Sequence, residues 1–316
     1  MTRLWHPSGM AHPHRLPAGV TVFERGWLSA NNILFHGDGP SALVDSGYAS
    51  HAQQTVALVR QALGERPLDL LLNTHLHSDH CGGNAALQEQ FPGAVTCIPP
   101  GLAEQVRHWD PVALTYEPTG QCCPRFRMDL LLTPGTEVVL GDRPWQVHGA
   151  PGHDQHSIVL YEPQERVLIS ADALWANGFG VVFQELEGER AFEEVGATLD
   201  LIESLQPRLV IPGHGGLFTD AASALQAARR RLQSFVQDPV RHAGHAAKVL
   251  LKFKLLELQR VRYEELERWA LATAYFPLIL ARHFPGQQPA AWIRGLVDGL
   301  VTAKAATVVN GDVVNA

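Results

Sequence analysis

The sequence predicts a layered α/β domain over residues 1–220, followed by a smaller, mainly helical domain over residues 221–316. Three observations carry that reading. Short β-rich runs alternate with amphipathic helical ones from "VTVFERG" to "RLVIPGH", a mixture that packs as helices covering sheets. After Phe218 the pattern changes to long helical runs. The chain then closes on "ATVVNGDVVNA", two β-branched runs around Asn310 and Gly311, the strongest short hairpin signal. A chain of 316 residues that is 46% hydrophobic can supply a sizeable core for this arrangement.

Taken in order, "VTVFERG", "NNILFHGD" and "SALVDSG" read as strands joined by turns. "SHAQQTVALVRQAL" places apolar residues at helical spacing behind Ser50, which can cap it, and "PLDLLLNT" reads as a buried strand. The alternation continues with "NAALQEQF" helical, "AVTCIPP" extended and "GLAEQVRHW" helical. Residues 108–132, "HWDPVALTYEPTGQCCPRFRMDLLL", have little periodicity and three prolines, so they read as a long loop or lid that shapes a binding site. "TEVVL", "WQVHGA", "SIVLYEP" and "RVLISADAL" follow as strands, then "FEEVGATLDLIESL" as a helix and "RLVIPGH" as a strand. Beyond them "AASALQAARRRLQSFVQ" is a connecting helix across a boundary near 221–243. "HAAKVLLKFKLLELQ", "YEELERWALATAYF" and "AAWIRGLVDGLVTAKA" are three helices that, with the hairpin, outline a winged-helix-like module.

Composition narrows the function classes. Of the 25 Lys and Arg, 13 lie from residue 221 onward against 7 of the 32 Asp and Glu, which leaves residues 1–220 acidic at 12 against 25. A basic tail on an acidic body is a solvated helical face or a surface for a polyanion. The cysteines Cys81, Cys97, Cys122 and Cys123 are too few and too irregularly spaced for a disulfide framework, so they read as buried or incidental thiols. No apolar run has signal-peptide or membrane-spanning length, so a cytoplasmic location with no membrane partner is expected.

The chemistry concentrates in "NTHLHSDHCGG". His75, His77 and Asp79 alternate at i, i+2 and i+4, which in extended backbone at a strand end aims them to one side, and His80 joins where the chain turns toward a helix. For this composition a chance H-x-H-x-D-H has an expectation of about 0.002. A zinc-type ion takes four ligands, so this density implies surplus residues or two metals sharing a site. Three further ligand types sit at strand ends beside small residues: His153 in "APGHDQHS", Asp172 in "ISADAL" and His214 in "IPGHGG". Small neighbours let backbone approach a metal centre closely. His156 is a weaker candidate, while His36, His148 and the histidines of "HPSGMAHPH" have no partner motif.

These motifs, with Asp45 in "LVDSG", resemble the metallo-β-lactamase-fold hydrolase superfamily over roughly residues 20–220. The resemblance implies an αββα sandwich binding two metals at one edge of its paired sheets. It implies that His75, His77 and His153 hold the first ion, that Asp79, His80 and His214 hold the second, and that Asp172 bridges both. It implies that Asp45 supports the histidine block by hydrogen bonds without touching metal. Asp172 with intact Asp79 and His80 is more similar to the glyoxalase II side of the superfamily than to true β-lactamases. Two divalent ions, zinc first and iron or manganese as alternatives, would share a water and lower its pKa to give a bridging hydroxide. Asp79 would orient that hydroxide and Asp172 would complete the catalytic pair, with His214 or His156 protonating the leaving group.

Fold and metal do not choose a substrate. The expected reaction is hydrolysis of an ester or thioester of a small acyl compound, such as a coenzyme A or glutathione conjugate. The alternative is a metal-dependent endoribonuclease acting on single-stranded RNA through the basic tail, with Lys248 and Lys252 on one helical face behind Arg229 to Arg231. Against it stand the negative net charge and the sparse Lys/Arg footprint. A non-enzymatic regulator binding DNA through the tail is a third reading, weakened by the lack of a basic recognition helix. The apolar faces in "KVLLKFKLLEL" and "YFPLIL" also suit packing on the main domain or a homodimer contact.

Overall fold

The computed structural model describes residues 16–316, and within them two sheets lie face to face. The first sheet is β1 (Val20–Phe23), β2 (Asn32–Phe35), β3 (Ala42–Val44), β4 (Leu70–Leu72), β5 (Val95–Ile98) and β6 (Leu130–Leu131), in that order. Its first three strands are antiparallel and its last four run parallel from β3 on. The second sheet is β7 (Glu137–Leu140), β8 (Arg143–Gly149), β9 (Ile158–Glu162), β10 (Val167–Ala171) and β11 (Leu209–Pro212), antiparallel except for the final β10–β11 pair.

Alternating side chains explain the layering. Ile33, Val44 and Leu72 of the first sheet meet Val147, Leu160, Ile169 and Ile211 of the second in the inter-sheet core. Their neighbours Leu34, Leu43 and Leu71 point the other way. They pack under α1 (Ala52–Leu63) through Val56 and Val59, and Leu87 joins the same cluster. On the far face, Val159, Leu168 and Val210 are covered by Val195, Leu199 and Ile202. Each such side chain taken from water contributes roughly 1.5–3 kcal/mol, and the period of two in the strands is what splits the contributions between the layers.

Short helices line the edge of the sandwich: α2 (Ser78–Cys81), α3 (Asn84–Gln90), whose Leu87 enters the cluster under α1, α4 (Ala103–His108), α5 (Tyr116–Thr119) and α6 (Phe183–Glu187). The longer α7 (Phe192–Leu205) carries Val195, Leu199 and Ile202, and α8 (Ala221–Gln237) adds Ala224, Leu225 and Ala228 to the same cluster. Asp220 caps α8, and Asp238 caps α9 (Pro239–Leu258) by accepting from Arg241 N at 3.0 Å with Pro239 in the first turn. A separate core then joins α9 to α10 (Tyr263–Ala272), α11 (Tyr275–His283) and α12 (Pro289–Thr302) through Leu250, Leu251, Phe276 and Ile293. It is closed by a three-stranded sheet of β12 (Arg260–Arg262), β14 (Asp312–Asn315) and β13 (Ala306–Val309) in that order. Asn310 and Gly311 both have positive φ, 54° and 84°, as the two-residue turn requires.

Three expectations need correction. Ser50 does not cap α1; it lies in a 3-10 turn (Ala49–His51) that precedes the helix. Residues 108–132 are not a structureless loop but hold α5 and the edge strand β6. Left-handed backbone at Thr115 and Gly120 bounds α5 to four residues, too short for periodicity to register. The helix expected over "YEELERWALATAYF" breaks at Thr273, which leaves α10 in extended conformation with its hydroxyl bonded to Trp269 O at 2.8 Å. The four cysteines are free, as expected of buried or incidental thiols: Cys81 and Cys97 are buried and Cys122 is exposed. No helix among the described residues is long and apolar enough to cross a membrane.

Candidate metal centre

The block 75–80 is positioned by the end of β3 as much as by β4. Asp45 follows β3 with a φ of 59°, a conformation unusual for a non-glycine residue and held here by its own hydrogen bonds. Its Oδ1 accepts from Thr74 N at 2.9 Å, and its Oδ2 accepts from Thr74 Oγ1 at 2.8 Å and from the His80 ring at 2.8 Å. The chain leaves β4, bends at Thr74 and His75, is extended at His77 (ψ 149°) and then enters α2. The alternation therefore ends two residues earlier than expected, and Asp79 sits on the helical turn with His80. The helical turn is what divides the block between two donor groups.

The first group brings together His75, His77 and His153, and the second Asp79, His80, Asp172 and His214, with donor atoms within 4.8 Å of one another in each. His75 Nε2 lies 3.1 Å from His77 Nδ1, which lies 2.9 Å from His153 Nε2. His214 Nε2 is 3.1 Å from Asp79 Oδ2. Asp172 touches both groups: Oδ1 lies 3.4 Å from His80 Nε2, while Oδ2 lies 3.5 Å from His153 Nε2 and 3.8 Å from His214 Nε2. A bulge in β10 and a positive φ of 46° at Ala171 aim that carboxylate inward.

Most of these rings are anchored through their other nitrogen. His80 Nδ1 binds Asp45, His153 Nδ1 binds Val181 O at 2.6 Å, His214 Nδ1 binds Gly26 O at 3.1 Å, and His75 Nδ1 meets Thr74 Oγ1 at 3.2 Å. Such anchoring fixes the tautomer and presents the opposite nitrogen for ligation. The His80 Nε2 so presented is buried with no hydrogen-bond partner. Most buried polar atoms in proteins are paired, and a cation is the partner this set of imidazoles and carboxylates fits.

In the first group the electrostatics agree with the geometry, and in the second a proton on His80 takes the place a cation would fill. Burial, reinforced by the neighbouring His77, pushes His153 down to about 4, and burial beside His80, His77 and His153 holds His75 well below its ordinary value. Both are therefore neutral near pH 7, the state that binds metal. Burial also works against charge on Asp172, His80 and His214, yet facing one another they overcome it. The adjacent His214 and His80 hold Asp172 well below the usual carboxylate range, and the carboxylates of Asp45 and Asp172 hold His80 well above the usual histidine range.

Two glycines permit the convergence. A Cβ at Gly180 would lie 2.3 Å from His153 Nδ1, and one at Gly213 would lie 2.2 Å from Asp172 Oδ1. Of these, Gly213 is one of the small residues noted beside the candidate ligands, whereas Gly180 lies outside those motifs. The donors open into a cavity of about 470 Å³ whose wall includes Thr115, Thr119 and Gln121 from the 108–132 segment and Phe253 from α9. Trp27, which sequence reasoning missed, stacks on His214 with ring centres 5.5 Å apart, and Trp175 donates from Nε1 to Asp172 Oδ1 at 3.2 Å. Single aromatic residues in turns leave no periodic signal. His156 belongs to neither donor group and packs against Gly101. His36 bonds Thr21 and His148 bonds Gln146, and the histidines of residues 6–14 lie outside the described residues.

An αββα sandwich with imidazoles and carboxylates converging at one edge defines the class of metal-dependent hydrolases. The family model of the metallo-beta-lactamase superfamily matches residues 25–214, and the chain belongs to that superfamily. Among curated proteins it is 29% identical over 238 residues to "Acyl-coenzyme A thioesterase MBLAC2" of Gallus gallus, covering 64% of this chain and 80% of that protein. It is 28% identical over 188 residues to a "Hydroxyacylglutathione hydrolase" of Brucella anthropi, covering 59% of this chain and 58% of that protein. The alignments thus span between about half and four fifths of these relatives. Among solved structures, a metallo-beta-lactamase family protein from Thermus thermophilus superposes with a TM-score of 0.58 at 18% identity, covering 96% of this chain and 100% of that one. BLEG-1 B3 metallo-beta-lactamase gives a TM-score of 0.54 at 23% identity over 66% of this chain and 96% of that one. These structural matches speak to the fold.

Proposed function

We propose that the protein hydrolyses an ester or thioester of a small acyl compound with two divalent cations, zinc in the first instance. His75, His77 and His153 would hold one cation, Asp79, His80 and His214 the other, and Asp172 would contact both. The observation that carries this reading is the placement of the Asp172 carboxylate, one oxygen toward each donor group. Such cations supply Lewis acidity, lowering the pKa of a shared water toward neutrality and polarising an acyl carbonyl. The chain's own residues do the rest. Asp79, whose carboxylate reaches His214 Nε2, is placed to orient the attacking water and accept its proton. Asp45, Thr74 and the Val181 and Gly26 carbonyls hold the rings against rotation. Trp27, Trp175 and Phe183 line the cavity and reduce its access to bulk water.

The named activities of the curated relatives, an acyl-coenzyme A thioesterase and hydroxyacylglutathione hydrolases, support a thioester over an oxygen ester. Residues 221–316 we read as a winged-helix-like domain whose role is to wall the cavity through α9. Lys252 supports this over RNA binding, since its Nζ is held by Ala305 O and Asn315 Oδ1 at 2.6 Å each. The test is hydrolysis of a thioester panel and of labelled single-stranded RNA by protein of known metal content, with and without chelator. Chelator-sensitive thioester cleavage supports the reading, and cleavage of the RNA alone overturns it.

A further inference from the structure

A charge withdrawn from water without a partner is costly, so partly buried cations are usually paired with carboxylates. Among the described residues, Arg231 on α8 has no such carboxylate. Its side chain runs beneath Gly178, where a Cβ would lie 2.8 Å from its Cδ, and its guanidinium rests against Phe179 and Phe235 at 5.6 and 5.4 Å from the ring centres. Nη2 donates to His245 Nε2 at 2.7 Å, and Nε is buried with no partner. Burial lowers its pKa and no carboxylate acts in the opposite direction. His245 does not neutralise it: burial first, then the Arg231 charge, push that imidazole to about 3, so it is a neutral acceptor that fixes the guanidinium.

Both Arg231 and His245 line the cavity that contains Asp79, His153, Asp172 and His214. That cavity runs into a groove of about 360 Å³ along α9 and α12, which shares Trp27, His245 and Phe253 with it and carries Lys248. The Lys248 stem lies over Gly299, 3.4 Å from where a Cβ would be. The cavity therefore presents the Arg231 guanidinium, and its extension Lys248 and Lys252, beside apolar walls.

We propose that Arg231, oriented by His245, binds a carboxylate or phosphate group of the substrate, so that the enzyme selects anionic thioesters. The inference rests on the thioester reading above and adds the residue and charge that set specificity. A guanidinium matches planar oxyanions through parallel N–H donors, and a hydrogen bond to a charged group in such a setting is worth about 10- to 100-fold in binding. The anion can sit on either half of the thioester, and the substrates below separate the cases.

The metal-loaded full-length protein and its Arg231→Met and Arg231→Lys variants are compared on four thioesters. These are butyryl N-acetylcysteamine, which is uncharged, succinyl N-acetylcysteamine, butyryl glutathione and butyryl coenzyme A. The expected result is a loss of about 10- to 100-fold in kcat/KM, through KM, for Arg231→Met on at least one anionic substrate. The uncharged substrate stays within about twofold, and Arg231→Lys recovers part of the loss. The substrate that loses most identifies the oxyanion and the half that carries it. Equal losses on charged and uncharged substrates, or no loss on any, overturn the proposal. A second readout is independent of turnover: quenching of tryptophan fluorescence by S-butylglutathione, succinate and inorganic phosphate in the chelated protein. Should the wild type cleave none of the thioesters, the thioester reading fails. The Arg231 assignment then still stands if Arg231→Met weakens that quenching about tenfold or more, and falls if it does not.

Discussion

Asp45 Oδ2 accepts a hydrogen bond from His80 Nδ1 at 2.8 Å, with both side chains buried. The bond leaves Nε2 as the only free nitrogen of His80 and directs it at Asp172. Asp45→Asn replaces the carboxylate acceptor by an amide that must break a bond to Thr74 or to His80. Supporting carboxylates of this kind are worth about 10- to 100-fold in metal affinity. Titration of the variant with zinc should show that loss, and unfolding in urea should show about 1–3 kcal/mol less stability for the unsatisfied buried groups.

Removing the metal should abolish hydrolysis and re-addition should restore it. Because the donors converge only in the folded chain, ligands should also raise the melting temperature, by linkage of about 2.7 kcal/mol at a hundredfold excess over Kd. Differential scanning calorimetry across a zinc series checks this. Asp172→Ala should reduce the bound metal from two equivalents per chain while leaving the far-ultraviolet circular dichroism unchanged.

Gly180→Ala should separate site from fold. Its Cβ would lie 2.3 Å from His153 Nδ1, so the ring must rotate and lose its bond to Val181 O. A misplacement near 1 Å costs about 100-fold in rate. Steady-state kinetics should show that drop in kcat/KM with little change in melting temperature.

One contact between sandwich and tail runs through Tyr48. Its hydroxyl accepts from Cys122 N at 3.0 Å and donates to Glu257 Oε1 at 3.2 Å, while its ring meets Phe253 edge-on. Tyr48→Phe keeps the packing and removes both bonds, a cost of about 1–3 kcal/mol. The urea midpoint should fall accordingly, with metal content unchanged.

Acid should weaken the α8–α9 junction. Burial, with the charges of His283 and Arg231, lowers His242 to about 4 in the folded chain, against about 6.5 when unfolded. The unfolded state therefore binds the extra proton, so stability present above the unfolded value is lost as pH falls toward the folded one. Linkage gives about 2 kcal/mol lost between pH 7 and pH 5. His242→Leu should flatten that slope in urea melts made across the range.

Most strands of both sheets, and the motifs whose side chains converge, were legible because each rests on local pattern: an apolar run bounded by polar residues in "SIVLYEP", paired histidines in "THLHSDH". The two-residue edge strand β6 was not, lying in a segment that reads as a loop. Asp45 was legible only through a resemblance, since nothing local shows that its carboxylate reaches His80, 35 residues later. β12 was missed because three residues, Arg260–Arg262, gain strand geometry only by pairing with β14. Thr273 broke a continuous helical pattern for a packing reason that periodicity does not encode. Arg231 lay in a run of three arginines that read as a solvated basic face. What distinguishes it from Arg229, which pairs with Asp200 and Glu203, is the cavity it faces.

The account depends most on two cations being held by seven residues at the sandwich edge. The direct measurement is anomalous X-ray diffraction at the zinc edge from crystals of zinc-loaded protein. Two peaks are predicted, one among His75, His77 and His153 and one among Asp79, His80 and His214, with Asp172 between them. A single peak outside these residues, or none, would contradict it.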